Sequence, residues 1–289
     1  MNIWIEGTRP KTLIASLSPV LIGGAIAFEQ QSFPIAVFLT CIIFALAVQI
    51  GTNFANDYID FLKGVDTSKR KGPRRLVQAG LVSPEKMSKV TFGVFGIAAV
   101  AGIYLTLIGG WQVGLLALLA ILLGYLYTGG PYPLGHLGLG DVVVLIFFGP
   151  VAICGVVYLM TGEVSSIALV AGFSPGFLST AILVMNNLRD YEEDKQANKK
   201  SLPVRFGIRF GRWEFALCVF LGILTPVILF GLTGKHPWSL TSTATLGLGI
   251  PVVKDVFNHK DPKNLAPLFP KVQRLLTLYT FLFILGWLV

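Results

Sequence analysis

Charge is scarce in this chain. Asp, Glu, Lys and Arg make up 13% of its 289 residues, against about 25% in an ordinary soluble domain. A soluble globule with so few charges would expose large apolar patches, so that class is excluded. Cysteine is scarcer still. Cys41, Cys154 and Cys218 each lie inside an apolar run, with no CxxC and no Cys/His metal spacing. A disulfide-stapled secreted module is therefore excluded, and the thiols read as small apolar packing residues. No Walker A pattern occurs, which excludes a P-loop. The Gly135-x-x-Gly138-x-Gly140 run joins two apolar segments rather than a strand and a helix, which excludes a dinucleotide fingerprint. No clear signal peptide is expected: the first basic residues, Arg9 and Lys11, flank Pro10, and the apolar run behind them leads into further apolar runs.

What the chain does have is hydrophobicity: 54% hydrophobic residues and a mean hydropathy of +0.72. Disorder is excluded, and a polytopic membrane protein is implied. Nine apolar stretches, each closed by Gly, Pro or charge, lie near 13–28, 33–51, 90–109, 111–127, 139–160, 164–185, 213–232, 238–257 and 272–289. They lack the alternation of a lipid-facing barrel. The expected fold is all-α, a bundle of nine transmembrane helices in a single domain over 1–289. With nine spans, 22 of the 23 Lys and Arg residues fall on one side and only Lys235 on the other. That asymmetry predicts a multi-pass protein of the inner (cytoplasmic) membrane, with its N-terminus cytoplasmic and its C-terminus outside. It also accounts for the net charge of +8, so no nucleic-acid partner is expected. The opposite loops are tiny, which places the chemistry on the cytoplasmic face.

Two loops break the apolar monotony. One carries Asn53, Asn56, Asp57, Tyr58, Asp60, Lys63 and Asp66; the other carries Asn186, Asn187, Arg189, Asp190, Tyr191, Glu192, Glu193 and Asp194. Both contain N-x-x-x-D-Y, and they follow the second and sixth spans. This is the mark of an internal repeat, with helices 2–5 and 6–9 as related halves. If the helices continue, Asn186, Asp190 and Asp194 stack at i, i+4 and i+8, and Asn53, Asp57 and Asp60 at i, i+4 and i+7. Stacked carboxylates at a membrane interface repel and need a cation. A hard divalent ion such as Mg²⁺ suits oxygen ligands and is commonly shared between one or two carboxylates and substrate phosphates. No imidazole or thiolate cluster argues for zinc.

Basic residues follow each cluster: Lys69, Arg70, Lys71, Arg74 and Arg75 after the first, Lys195, Lys199, Lys200 and Arg205 after the second. A metal–diphosphate ligand needs both signs, carboxylates for the metal and cations for the remaining phosphate oxygens. Gly72-Pro73 offers a turn that would aim Arg74 and Arg75 back. The 4–5 connection, from Tyr125 to Asp141, is the one loop on this side without Lys or Arg, so something other than topology shapes it. Its Tyr127 and Tyr132 are candidates to line an apolar groove and stabilise a passing carbocation through their faces. His136 stands alone and reads as structural.

These features together resemble the UbiA superfamily of intramembrane aromatic prenyltransferases. The likeness runs through Arg9-Pro10-Lys11-Thr12, Asn53 to Asp66, Gly72-Pro73, Tyr127-Thr128, Pro131-Tyr132, Gly138 to Asp141, Phe147-Phe148-Gly149, Asn186 to Asp190, and Arg205-Phe206-Gly207. The tail ending at Asp66 resembles the branch that prenylates 1,4-dihydroxy-2-naphthoate. The resemblance implies a polyprenyl diphosphate donor with its tail in the bilayer and its head at the cytoplasmic face. It implies Mg²⁺ held by Asp57, Asp60, Asp190 and Asp194, supported by Asn53, Asn56 and Asn186. Lys63, Arg74, Arg75, Arg189 and Lys199 would clamp diphosphate oxygens, and Asp66 or Asp141 would accept the ring proton. The acceptor would be an aromatic acid, dihydroxynaphthoate, with 4-hydroxybenzoate or homogentisate as the alternatives. The reading from a different class is a secondary transporter. It is disfavoured because every acidic residue falls at or near a span end rather than at the midplane.

Overall fold

Apolar runs that cannot hydrogen-bond to lipid must close their own backbone bonds. The computed structural model, which describes residues 2–65, 74–259 and 261–289, is all-helical, with no strand among those residues. In chain order the α-helices are α1 (Ile3–Thr8), α2 (Leu13–Glu29), α3 (Ile35–Leu62), α4 (Pro84–Gly109), α5 (Trp111–Leu126), α6 (Gly140–Phe147), α7 (Pro150–Thr161), α8 (Ser166–Arg189), α9 (Tyr191–Gln196), α10 (Leu202–Phe206), α11 (Ile208–Thr233), α12 (Leu246–Asn258) and α13 (Phe269–Leu288). Among the described residues, seven helical segments are long and apolar enough to cross a membrane: Ile3–Glu29, Ile35–Leu62, Pro84–Gly109, Gly140–Thr161, Ser166–Arg189, Ile208–Thr233 and Asn264–Leu288.

The other two expected stretches are helical but shorter. α5 has 16 residues. The stretch near 238–257 begins as a 3₁₀ helix, Pro237–Thr245, and becomes α-helical only at Leu246. Its composition explains the tight winding. The hydroxyls of Thr241, Ser242, Thr243 and Thr245 each donate to the carbonyl three residues back, closing local rings that compete with α geometry.

Local chemistry sets the other boundaries. Ser83 caps α4 by accepting from the Lys86 N–H, and Pro84 occupies the first helical position. Gly149 parts α6 from α7. A Cβ there would lie 2.5 Å from the Leu145 carbonyl and 2.6 Å from that of Gly172, so only glycine permits this approach to α8.

α3 packs on α4 and α2, and α5 packs on α4 and α3. α6 and α7 pack on α8, α7 also on α2, and α8 on α11. α13 rests against α2, α8 and the 3₁₀ segment. Its Tyr279, Phe283 and Trp287 form a stacked column through the largest buried cluster. α5 thus belongs to one wall and α6–α7 to another, and a cavity lies between them.

Candidate active site

α3 runs past its apolar stretch as far as Leu62 and carries the first motif on continuous helix. Asp57 and Asp60 are only 2% and 3% exposed. Both oxygens of Asp57 are engaged, Oδ2 accepting from the Leu76 N–H at 2.9 Å and Oδ1 from the Val77 N–H at 3.0 Å. Asp57 therefore pins the returning chain, and that sets Arg75 against Asp60, with Nη2 3.1 Å from Oδ2. The back-facing expectation holds for Arg75; Arg74 is exposed. Asn53 donates to the Thr8 carbonyl at 2.9 Å and to Thr12 Oγ1 at 3.4 Å, and Asn56 Oδ1 accepts from the Thr128 hydroxyl. Asp66 and the stretch Lys69–Pro73 lie outside the described residues.

The second motif differs from the expected single stack. α8 ends at Arg189, Asp190 is its C-cap, and a separate short helix starts at Tyr191. The cause is local: Arg189 forks onto its neighbour, Nε to Asp190 Oδ1 at 2.6 Å and Nη2 to Oδ2 at 2.7 Å. The Arg189 guanidinium also sits 5.6 Å from the Phe269 ring centroid. Asp194, on α9, accepts from Ser201 at 3.4 Å. Lys199 joins the motifs, its Nζ 3.8 Å from Asp194 Oδ1 and 3.9 Å from Asp60 Oδ2.

The 4–5 connection owes its lack of Lys and Arg to its role as an acceptor. Lys63 Nζ donates to the carbonyls of Thr128 at 2.7 Å and Gly130 at 3.2 Å. Desolvation lowers the Lys63 pKa; Asp60 raises it and Lys199 lowers it further. The ammonium that the resemblance assigns to diphosphate oxygens thus spends two of its donors on these carbonyls. On the other side, Lys200 N–H donates to the His136 carbonyl at 2.8 Å. The Lys200 carbonyl lies 2.5 Å from where a Cβ of Gly138 would be, and Gly138 has φ of +71°. The docking carries His136 Nε2 to 3.8 Å from Asp60 Oδ1. His136 thus belongs to the site that sequence reasoning left it out of. Tyr127 lines the cavity. Tyr132 is 76% exposed and is not among the residues that line the cavity. Asp141 is buried, within 3.5 Å of Asn187 Nδ2 and outside the cavity lining.

The cavity has a volume of about 340 Å³. Arg9, Thr12, Asn53, Asn56, Tyr127 and Asn186 line it at the level of the motifs, and Cys41, Leu105, Val113 and Leu159 at the far end. Cys41 to Asn56 along α3 spans about 22 Å at ~1.5 Å per residue. The site is thus polar at one end and opens into a long apolar chamber. Arg9 stands in the sequence as an early basic residue of the Arg9-Pro10-Lys11-Thr12 run, and nothing there marks it as facing a cavity.

Among the described residues no three His, Cys, Asp or Glu side chains gather round one point. Of the four expected metal carboxylates, Asp60 and Asp194 share the Lys199 ammonium, Asp57 accepts from backbone N–H groups and Asp190 pairs with Arg189. The donor set still fits Mg²⁺. It is all oxygen, and the Lys199 ammonium already occupies a cationic position between the two motifs. A metal shared with phosphate oxygens needs only one or two carboxylates.

An all-helical membrane bundle with paired acid–base motifs at the mouth of an apolar chamber defines a class: intramembrane proteins that act on a lipid bearing an anionic head. The chain belongs to the UbiA prenyltransferase family, whose pattern it matches over residues 16–285. The 1,4-dihydroxy-2-naphthoate octaprenyltransferase of Escherichia coli (strain K12) is 32% identical over 290 residues, covering 98% of this chain and 94% of that protein. The Mycobacterium tuberculosis (strain ATCC 25618 / H37Rv) protein of the same name is 34% identical over 267 residues, covering 91% and 89%. The structure of a UbiA homolog from Archaeoglobus fulgidus bound to GPP and Mg²⁺ superposes with a TM-score of 0.69 at 16% identity, covering 97% of this chain and 99% of that one. At that identity the likeness is one of fold.

Proposed function

We propose that this chain transfers a polyprenyl group from its diphosphate to 1,4-dihydroxy-2-naphthoate, with loss of CO₂ and diphosphate, giving a demethylmenaquinone-type product. The observation that carries the reading is the meeting of Asp60 and Asp194 at Lys199, beside the polar end of an apolar cavity. The choice of acceptor rests on the named activity of the Escherichia coli and Mycobacterium tuberculosis relatives. The whole chain acts as one domain, a nine-span bundle of the inner membrane with its site on the cytoplasmic face and its C-terminus outside.

Asp60 and Asp194 would hold Mg²⁺, with Asn56 and Asn186 as neighbouring oxygen donors. When bound, the metal supplies Lewis-acid stabilisation of the departing diphosphate. Arg75 and Lys199 bind the remaining phosphate oxygens with fixed positive charge. Asp57 and Arg189 are positioning residues, one anchoring the segment that carries Arg75, the other steadying Asp190. The prenyl tail lies in the chamber toward Cys41 and Leu105, where water is excluded and the allylic cation survives long enough to be captured. Tyr127 presents its ring at the chamber mouth, where a cation–π contact is available.

The test is purified protein given a polyprenyl diphosphate, Mg²⁺ and an aromatic acid, with the product read by mass spectrometry. A lipophilic product with dihydroxynaphthoate, absent with Asp60→Ala or after chelation, is expected. Product only from 4-hydroxybenzoate or homogentisate would move the chain to another branch. Solute flux in vesicles without any product would replace the enzyme with a transporter.

A further inference from the structure

Gln49 is an amide in the middle of a membrane-crossing helix, one turn of α3 (about 6 Å) below Asn53. It lines the cavity, and its side chain has no hydrogen-bond partner among the described residues. Lipid cannot satisfy such an amide, and a prenyl tail offers it no donor or acceptor. Ser16 lines the same cavity from α2, one turn below Thr12. Its hydroxyl donates to the Leu13 carbonyl at 2.9 Å and keeps its lone pairs for another donor. Thr12 and Asn53 are themselves 3.4 Å apart at the level above. The two walls therefore present a second polar level, deeper than the diphosphate site and chemically different from it. It is neutral, without Asp, Glu, Lys or Arg, whereas the polar end above it carries Arg9, the charged residue of the cavity lining.

We propose that Gln49, with Ser16 beside it, recognises the ring hydroxyl of the aromatic acceptor that points away from its carboxylate. The inference rests on the prenyl-transfer reading above. An aryl carboxylate is drawn to the cationic mouth, where Arg9 faces the cavity. In 1,4-dihydroxy-2-naphthoate the 1-hydroxyl is adjacent to the carboxylate, and the 4-hydroxyl lies farther away. With the acid at the mouth, the 4-hydroxyl is carried inward, to the level of Gln49. A primary amide can accept from that hydroxyl or donate to it. This fixes which ring carbon faces the allylic end of the donor. Apolar residues on the other walls at this depth, Val144, Phe148 and Ile182, suit the flat ring.

The test compares 1,4-dihydroxy-2-naphthoate with 1-hydroxy-2-naphthoate, which lacks the 4-hydroxyl, in wild-type protein, Gln49→Leu and the closer isostere Gln49→Met. A site that hydrogen-bonds a hydroxyl discriminates against the analogue lacking it. Both variants are expected to raise KM for the dihydroxy acid about tenfold or more, to leave KM for the prenyl diphosphate unchanged, and to shrink the wild-type preference for the dihydroxy acid about tenfold. Taking that preference relative to wild type cancels the difference in intrinsic ring reactivity. Equal losses on both acceptors, or a rise in KM for the diphosphate instead, would overturn the assignment while leaving prenyl transfer intact. Wild-type protein that prenylates neither naphthoate would overturn the functional reading, and this one with it.

Discussion

Asp57 and Lys199 look alike in the sequence, each one polar residue in a charged loop, yet the structure gives them opposite work. Asp57 accepts two buried backbone N–H groups, and removing it strands both. Each stranded donor costs about 1–3 kcal/mol. Asp57→Ala is therefore expected to melt at a clearly lower temperature in detergent and to lose turnover as Arg75 loses its register. Lys199 is partly exposed and holds only two carboxylates at nearly 4 Å, so Lys199→Met should melt close to wild type. Its loss should appear instead in kinetics, as a KM for prenyl diphosphate raised about tenfold, as expected when one charge-assisted contact is lost. Thermal unfolding followed on both variants beside steady-state rates separates the two roles. An Asp57→Ala protein as stable as wild type would return that carboxylate to the substrate.

At the scale of the helix, legibility tracked how local the cause was. The apolar runs were readable because lipid leaves the backbone no alternative to helix, whereas the continuation of α3 through Asp60 entered only as a condition on the spacing, and the structure meets it. The break at Asp190 was not readable as a break, since it depends on Arg189 turning onto its own neighbour. The 3₁₀ winding of Pro237–Thr245 was written in its Ser/Thr content but masked by its apolar neighbours. Pairing of the two motifs was legible as a repeat; the agents that join them were not. Lys199, His136 and the carbonyls that receive Lys63 meet through loops far apart in the chain. Glycine shows the same division. Gly149 and Gly155 lie six residues apart in one span, but a Cβ at Gly149 meets backbone atoms at 2.5 and 2.6 Å, while one at Gly155 meets nothing within 4 Å. Gly149→Ala should destabilise by about 1–3 kcal/mol, because backbone cannot yield as a flexible side chain does. Gly155→Ala, facing the cavity, should unfold like wild type. Equal unfolding of the pair, measured side by side in the same detergent, would mean that α7 and α8 are free to separate without cost.

For the whole molecule, the decisive quantity is the distribution of charge between the two ends of the bundle. The structure brings Lys63, Arg75, Lys199 and Lys200 to one end, with the 4–5 connection, while Lys235 follows the opposite end of α11. Both substrates of the proposed reaction carry anionic heads, so the end that gathers cations for topology would also supply the cations that bind them. On that proposal the positive-inside bias and the active site share one surface, and an orientation experiment bears on both. Cys41 and Cys218 are buried and Cys154 is half-buried. Replacing all three with Ala and adding a single reporter, Lys235→Cys or Lys195→Cys, gives a clean readout with a membrane-impermeant maleimide. The Lys235→Cys reporter should label in intact cells and the Lys195→Cys reporter only after the membrane is opened. The reverse pattern would put the diphosphate site outside, away from any cytoplasmic pool of prenyl donor. Labelling of both in intact cells would mean that α11 does not cross, and the nine-span arrangement would fall with it.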